Sequence, residues 1–159
     1  MDKFDAAHRS GWATAEVVFG IMLALGLALD WLCPFYFGWQ ADSAWRHLIG
    51  APLLLLGGAM IIQAKGELER NDQPSEPGAP TQRVITSGAF KYSRNPLYMG
   101  LVIAFIGLAA ALDKPWLLIL TPVAMLVTTR FLILPEERYL EAKFGDEYRR
   151  YKRKVRRWL

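Results

Sequence analysis

The apolar residues of this chain fall into four long blocks separated by polar segments. The blocks cover residues 11–33, 46–64, 97–112 and 116–134. Each is close to the ~20 residues that an α-helix needs to cross a bilayer. A soluble helix bundle would carry a polar stripe every three or four residues, and these blocks show almost none. The pattern therefore predicts an all-α, polytopic membrane protein with about four transmembrane helices.

The third and fourth blocks are separated only by Asp113, Lys114 and Pro115. So short a connection places two helices side by side and antiparallel. The sequence thus predicts a helical hairpin over residues 97–134, with both of its open ends at the same membrane face.

The distribution of charge predicts the orientation. Basic residues are frequent in the 65–95 segment and after residue 135. By contrast, Arg46 is the only lysine or arginine where the first two blocks are joined, and Lys114 is the only one between the last two. Since basic residues mark the cytoplasmic side, both termini and a cytoplasmic loop, 65–95, are expected there. Whether residues 65–93 form a lid or a linker stays open.

The C-terminal part, 136–159, is predicted to form cytoplasmic helices, the last of them amphipathic. Its basic face suits acidic lipid headgroups, which explains the charge without nucleic-acid binding. The 159 residues are read as a single membrane domain. Cys33 is the only cysteine, so an intrachain disulfide is excluded and no metal site is expected.

Two polar clusters flank the predicted hairpin. The first is the stretch GAFKYSRNPLYMG at 88–100, which leads into the third apolar block, and the second is PEER at 135–138, where the fourth block ends. Because the hairpin returns the chain to the face it left, both clusters are expected at the same depth, roughly 10 Å apart.

The residue types in these clusters suit a zwitterionic, ribose-containing ligand. Arg94 can bind a carboxylate through two parallel hydrogen bonds, and the Tyr98 ring can attract a sulfonium or ammonium group. Gly100 lets a ligand or another helix approach its backbone. Glu136 and Glu137 can accept hydrogen bonds from ribose hydroxyls or an ammonium. The same residues would also form an interfacial salt-bridge network, and their chemistry alone leaves both interpretations open.

The two clusters also carry a resemblance. GAFKYSRNPLYMG, followed further along the chain by EERYLEAKFGDEYRRYKRKVRRW, resembles the isoprenylcysteine carboxyl methyltransferase and phospholipid methyltransferase group of integral membrane proteins. The family pattern is met by Gly88, Phe90, Arg94, Asn95, Pro96, Tyr98 and Gly100, by Glu136, Glu137 and Leu140, and by Phe144, Gly145, Tyr148 and Tyr151. The resemblance covers residues 81–158, and the first two apolar blocks add only compatible hydropathy.

The resemblance implies an S-adenosylmethionine-dependent methyltransferase with a cofactor site that is not of the Rossmann type. The acceptor would be lipophilic and enter from the bilayer: an isoprenoid or prenylcysteine-like carboxylate, a phospholipid amine or a small thiol. The residues that would contact the cofactor or order its pocket are Gly88, Arg94, Asn95, Pro96, Tyr98, Gly100, Glu136 and Glu137.

The resemblance also suggests catalytic roles. Glu136 or Glu137 is a candidate base for an amine acceptor, and Arg130 could orient a polar acceptor head. Asn95 departs from many prenylcysteine enzymes, which carry histidine there. Asparagine cannot act as a base near neutral pH, so this departure weakens the prenylcysteine assignment and leaves the methyltransferase assignment intact.

A different class of function also accommodates the sequence. A non-catalytic membrane scaffold, or a subunit of a transporter or redox complex, would use the two clusters as salt bridges and the central loop for docking. The sequence does not determine which acceptor is methylated, what the oligomeric state is or which of the two glutamates matters more.

Overall fold

The computed structural model describes residues 14–37, 44–73 and 81–159. Regular structure within these ranges is entirely helical, which confirms the predicted all-α class. The helices are α1 (Ala15–Leu32), α2 (Ala44–Arg70), α3 (Pro96–Ala111), α4 (Pro115–Thr128), α5 (Leu134–Phe144) and α6 (Asp146–Lys154). A 3-10 turn, Gly88–Lys91, precedes α3, and a π-helical turn, Thr129–Ile133, joins α4 to α5. Residues 11–13 of the first predicted span lie outside the described ranges.

Three stretches of the described chain are long and apolar enough to cross a membrane. They are Ala15–Leu32, Ala44–Arg70 and the continuous helix Pro115–Phe144. The remaining apolar helix, Pro96–Ala111, has 16 residues and extends about 24 Å at 1.5 Å per residue, less than the ~30 Å hydrocarbon core. The protein is thus a polytopic membrane protein, and of the four apolar helices in the described ranges three have full transmembrane length.

Two helix boundaries differ from the sequence-based ones. The second helix continues to Arg70, six residues beyond its expected end, because residues 65–70 include Lys, Glu, Leu and Arg, which favour the helix. At the other end of the chain, α6 stops at Lys154. The expectation that helix extends to residue 159 is therefore wrong for 155–159, where Val155 already has an extended backbone.

The backbones of α2 and α3 lie in direct contact along a row of small residues. A Cβ added to Gly57 would come within 2.5 Å of the Gly100 carbonyl oxygen, and one added to Gly107 within 2.8 Å of the Leu54 nitrogen. A Cβ on Gly100 would meet Ile61 at 2.6 Å. Close approach through glycine is a common way for membrane helices to associate without a hydrophobic driving force.

The opposite side of α3 faces α1 and α4. Phe19 of α1 meets Phe105 of α3 edge to face, with ring centroids 5.4 Å apart. Leu117 of α4 is fully buried and fills the space beside Gly26 of α1. Helix α3 therefore lies between α2 on one side and the α1–α4 pair on the other. This packing holds in place the helix into which the first polar cluster leads.

Polar contacts secure the hairpin turn between α3 and α4. Lys114 in the turn forms an ion pair with Asp30 near the end of α1. Asp113 accepts a hydrogen bond from the backbone nitrogen of Phe37 at 3.1 Å. These contacts tie the first helix to the hairpin at the end remote from the two polar clusters.

Candidate active site

The hairpin brings the two polar clusters into contact, as the sequence predicted. Pro96 occupies the first turn of α3, where a missing N–H is harmless, so Arg94 stands just outside the helix. Its Nη2 lies 3.1 Å from Oε1 of Glu137 on α5. The side chains are only 8% and 6% exposed. Both charges are therefore buried, and each depends on its partner.

A second guanidinium completes this ion pair. Arg157 donates from Nε to Oε1 of Glu137 at 3.0 Å and from Nη2 to Oε2 at 2.8 Å. The hydrogen bonds to Glu137 raise the pKa of Arg157, which keeps the side chain charged. Two guanidiniums thus bind one carboxylate, and we refer to Arg94, Glu137 and Arg157 as the charge triad.

The chain around Arg157 is joined to the first cluster by backbone and side-chain hydrogen bonds. The Arg94 nitrogen donates to the Arg156 carbonyl oxygen at 3.0 Å. The Arg157 carbonyl oxygen accepts from Ser93 Oγ at 3.2 Å and from Asn95 Nδ2 at 3.0 Å. Asn95, whose chemistry was the least certain element of the sequence motif, thus connects the start of α3 with the C-terminal segment, residues 155–159.

Helix α6 is anchored beside this junction. The Tyr151 hydroxyl donates to the Phe90 carbonyl oxygen at 2.6 Å, and Tyr148 and Tyr151 pack edge to face. Burial raises the pKa of both tyrosines, so both stay neutral at physiological pH. The two tyrosines hold α6 against the 3-10 turn, and this places Arg157 next to Glu137.

Arg94 has hydrogen-bonding capacity left over. Its Nε and Nη1 atoms are buried, and among the described residues neither has a hydrogen-bond partner. A buried charged donor without an acceptor is costly. An anionic group such as a carboxylate would accept a charge-assisted hydrogen bond from either of these nitrogens. The residues present therefore fit the carboxylate of an amino-acid-containing cofactor.

The second acid of the EE pair lies in a different environment. Glu136 is partly exposed and is close enough to Tyr98 on α3 to interact with it electrostatically. Glu16 of α1 is also close enough to Tyr98 to interact with it electrostatically. The site thus has a positive side at Arg94 and a negative side around Tyr98, an arrangement that suits a zwitterion.

Other predicted site residues lie elsewhere. Gly88 has a φ of +56°, and a Cβ there would come within 2.7 Å of the Glu67 carboxylate, so its role is to allow that turn. Gly100 contacts α2, as described above. Arg130 is exposed in the π-helical turn. The structure brings Arg94, Asn95 and Glu137 together around Arg157. Gly88, Gly100 and Arg130 lie outside that group.

Arg157 and Ser93 were not foreseen as site residues. Arg157 belongs to the run RKVRRW, a basic stretch of the kind that anchors a protein to lipid headgroups. Nothing in the sequence distinguishes Arg157 from its neighbour Arg156, which is exposed in the structure. The two arginines differ in their distance from Glu137, and that distance depends on how α6 packs against the rest of the protein.

Together, the membrane-spanning helices and the buried charge triad at the open end of the hairpin define a small all-helical membrane protein with a buried polar site. The family model for phospholipid methyltransferase matches residues 45–147, and the chain belongs to that family. The matched range contains Arg94, Glu136 and Glu137 and ends before Arg157.

One relative supports the family assignment only locally. Over 35 residues the chain is 71% identical to an uncharacterised protein of Haemophilus influenzae, a match that covers 22% of this chain and 56% of that protein. The chain thus spans little more than half the length of that relative. No solved structure matches this chain.

Proposed function

We propose that this protein is an S-adenosylmethionine-dependent methyltransferase that acts on a lipophilic acceptor at the cytoplasmic membrane face. The observation that carries the proposal is the buried guanidinium of Arg94, held by Glu137, with two nitrogen atoms left without partners among the described residues. In a member of the phospholipid methyltransferase family, those nitrogens are suited to the carboxylate of the methyl donor.

The remaining groups suit the rest of such a donor. Glu136, beside the Tyr98 hydroxyl, can accept hydrogen bonds from an ammonium or from ribose hydroxyls, and the Tyr98 ring can attract a sulfonium. Asn95 and Pro96 fix the backbone from which Arg94 and Tyr98 project. Opposite charges at the two sides of one site orient a zwitterion in a single direction.

S-adenosylmethionine supplies a methyl group that its sulfonium already activates for transfer. The chain then needs to align the acceptor and exclude water. An amine acceptor also has to lose a proton. Both oxygens of Glu137 are bound by guanidiniums, so Glu136 is the better base of the two. Arg130, exposed in the π-helical turn, could hold an anionic acceptor head.

The acceptor class follows from the setting of the site. We place the site at the cytoplasmic face of the inner or plasma membrane, with both termini on that side, because basic residues crowd the 81–95 and 138–157 segments. An acceptor would reach it from the bilayer between the helices. A prenylated carboxylate, a phospholipid amine and a small lipophilic thiol all satisfy this requirement.

Binding of the donor tests the proposal directly. The detergent-purified protein would be titrated calorimetrically with S-adenosylmethionine and S-adenosylhomocysteine. Binding of both is expected, weakened more than tenfold by Arg94→Gln and by Glu137→Gln, since a charge-assisted hydrogen bond contributes ~1.5–3 kcal/mol. Arg150→Gln, an exposed change on α6, is the matched control and should bind as the wild type does.

The opposite results have clear meanings. Failure of the wild type to bind either compound at millimolar concentration would sink the enzyme proposal and favour the non-catalytic scaffold, in which the charge triad serves only as an ion-pair network. Unchanged affinity in both variants would move the site elsewhere. Once binding is established, a labelled methyl donor incubated with fractionated lipid extracts would identify the acceptor.

A further inference from the structure

The C-terminal segment is held to the start of α3 by two kinds of contact. Its backbone carbonyl oxygens accept from the backbone of Arg94 and from the side chains of Ser93 and Asn95, and Trp158 packs against the buried core. Separately, the Arg157 side chain reaches Glu137. The docking of the segment thus has support that does not involve the Arg157 guanidinium.

The Arg157 side chain is also less buried than the groups it contacts. It is 33% exposed, whereas the Glu137 side chain is 6% exposed. Its two parallel hydrogen bonds to a nearly inaccessible carboxylate have the bidentate geometry in which such a pair does contribute to stability. The same contact also changes the balance of charge around Arg94.

One carboxylate and two guanidiniums leave one positive charge uncompensated in the charge triad. Without Arg157, Glu137 would neutralise Arg94 alone, and its freed oxygens would attract the Arg94 donors that now lack partners. Arg94 would then present neither net charge nor free hydrogen-bond donors to an incoming anion. With Arg157 in place, both oxygens of Glu137 are already bound, so Arg94 keeps its net charge and its free donors.

We propose that Arg157 is a positioning residue for the carboxylate of the methyl donor: by binding Glu137 through both of its oxygens, it keeps the unpaired donors of Arg94 available and the site positively charged. This inference rests on the proposed function. It assigns a role to a residue beyond the range matched by the family model, and it makes the C-terminal segment part of the site.

The test compares two ligands that differ only in one carboxylate. S-adenosylhomocysteine and its decarboxylated analogue, S-adenosyl-3-thiopropylamine, would be titrated into wild type, Arg157→Gln and Arg156→Gln. We expect Arg157→Gln to weaken S-adenosylhomocysteine binding about tenfold and to leave the affinity for the decarboxylated analogue unchanged or slightly higher. Arg156→Gln keeps the backbone contacts of the segment and should match the wild type with both ligands.

A lysine variant separates charge from geometry. Arg157→Lys keeps the positive charge beside Glu137 but lacks the planar fork, so it should retain more of the S-adenosylhomocysteine affinity than Arg157→Gln. If Arg157→Gln yields no folded protein, Arg157→Lys carries the comparison. A loss confined to the carboxylate-bearing ligand is then expected, and an equal loss for both ligands contradicts the proposal.

The remaining outcomes distinguish this inference from the function on which it rests. Wild-type binding of S-adenosylhomocysteine together with unchanged binding by Arg157→Gln would overturn the role of Arg157 and leave the proposed function standing. An equal loss of affinity for both ligands in Arg157→Gln would reduce Arg157 to a structural contact. Absence of binding by the wild type would overturn both.

Discussion

Arg157 and Glu137 form a two-point ion pair across 20 positions of sequence, with the shorter hydrogen bond at 2.8 Å. The pair links a segment beyond the last helix to the helix that continues the final membrane span. Because Glu137 also binds Arg94 at 3.1 Å, three separate parts of the chain converge on a single carboxylate. The stability of this junction and the chemistry of the site are therefore coupled.

The first prediction concerns that junction. Glu137→Gln leaves two guanidiniums without their counter-charge, one of them almost fully buried. Removal of one partner from a buried ion pair destabilises proteins by about 3 kcal/mol or more, and the partial exposure of Arg157 places the expected effect at the lower end. A clear fall in the thermal unfolding midpoint in detergent checks it.

The matched control for that change is Glu141→Gln. Glu141 lies on α5, as Glu137 does, and pairs with Lys152 of α6, but both side chains are more than one third exposed. Such a surface pair contributes ~0–1 kcal/mol, so the midpoint should barely move. Equal shifts in the two variants would mean that the burial of Glu137 has no energetic consequence.

The second prediction separates the two neighbouring glutamates. Glu136→Gln should weaken S-adenosylhomocysteine binding less than Arg94→Gln does, because it removes a charged contact to the ammonium or the ribose but leaves the charge triad intact. It should slow methyl transfer to an amine acceptor about 100-fold, the usual contribution of a general base. Transfer to a carboxylate or thiolate acceptor, which needs no base, should change little. Comparing initial rates over acceptor types measures this, and uniform loss would refute the base assignment.

The third prediction concerns helix packing. A Cβ at Gly57 would come within 2.5 Å of the Gly100 carbonyl oxygen, and a backbone atom cannot yield as a flexible side chain does. Gly57→Ala should therefore separate α2 from α3 and destabilise the protein by about 1–3 kcal/mol. Gly58→Ala is the neighbouring control, because a Cβ there meets nothing within 4 Å. Thermal unfolding of both variants decides the matter, and equal midpoints would contradict the contact.

The fourth prediction uses the far end of the hairpin. Asp30→Asn removes the counter-charge of Lys114 and should cost about 2 kcal/mol, as expected for a charge-assisted hydrogen bond. Donor affinity should be unchanged, because the ion pair lies at the opposite end of α1 and of the hairpin from the charge triad. Thermal unfolding and calorimetry on the same sample test both halves. Loss of donor affinity would show that the two ends are coupled.

The fifth prediction tests the orientation in the membrane. Cys33, the only cysteine, is exposed just after α1, on the side expected to face outward. A membrane-impermeant maleimide applied to spheroplasts should label it without lysis. In a Cys33→Ser background, Leu159→Cys should be labelled only after lysis. The reverse pattern would place the site on the outer face.

The helical class and the hairpin could be predicted because they follow from local features. Four apolar blocks have transmembrane or near-transmembrane length, and a connection of three residues permits only antiparallel neighbours. The same reasoning placed Arg94 opposite Glu137. It was less reliable at helix ends. Polar residues that favour the helix extend α2 to Arg70, whereas α6 stops at Lys154 and the residues that follow bond to the start of α3.

The partners of particular residues could not be predicted in the same way. Gly100 could admit a ligand or a helix, and the choice depends on where Gly57 of α2 lies. Arg157 sits among similar basic residues, and its function depends on the distance to a carboxylate 20 positions earlier. Both outcomes depend on contacts between distant parts of the chain, which composition and periodicity do not encode.

The π-helical turn at Thr129–Ile133 has a consequence for the direction of the two glutamates on α5. Such a turn accommodates one residue more than an α-helical turn, and one residue rotates everything beyond it by about 100°. The same span with an ordinary α-helical turn would therefore present Glu136 and Glu137 in another direction. Deletion of one residue within the turn would swing Glu137 away from both arginines and Glu136 away from Tyr98.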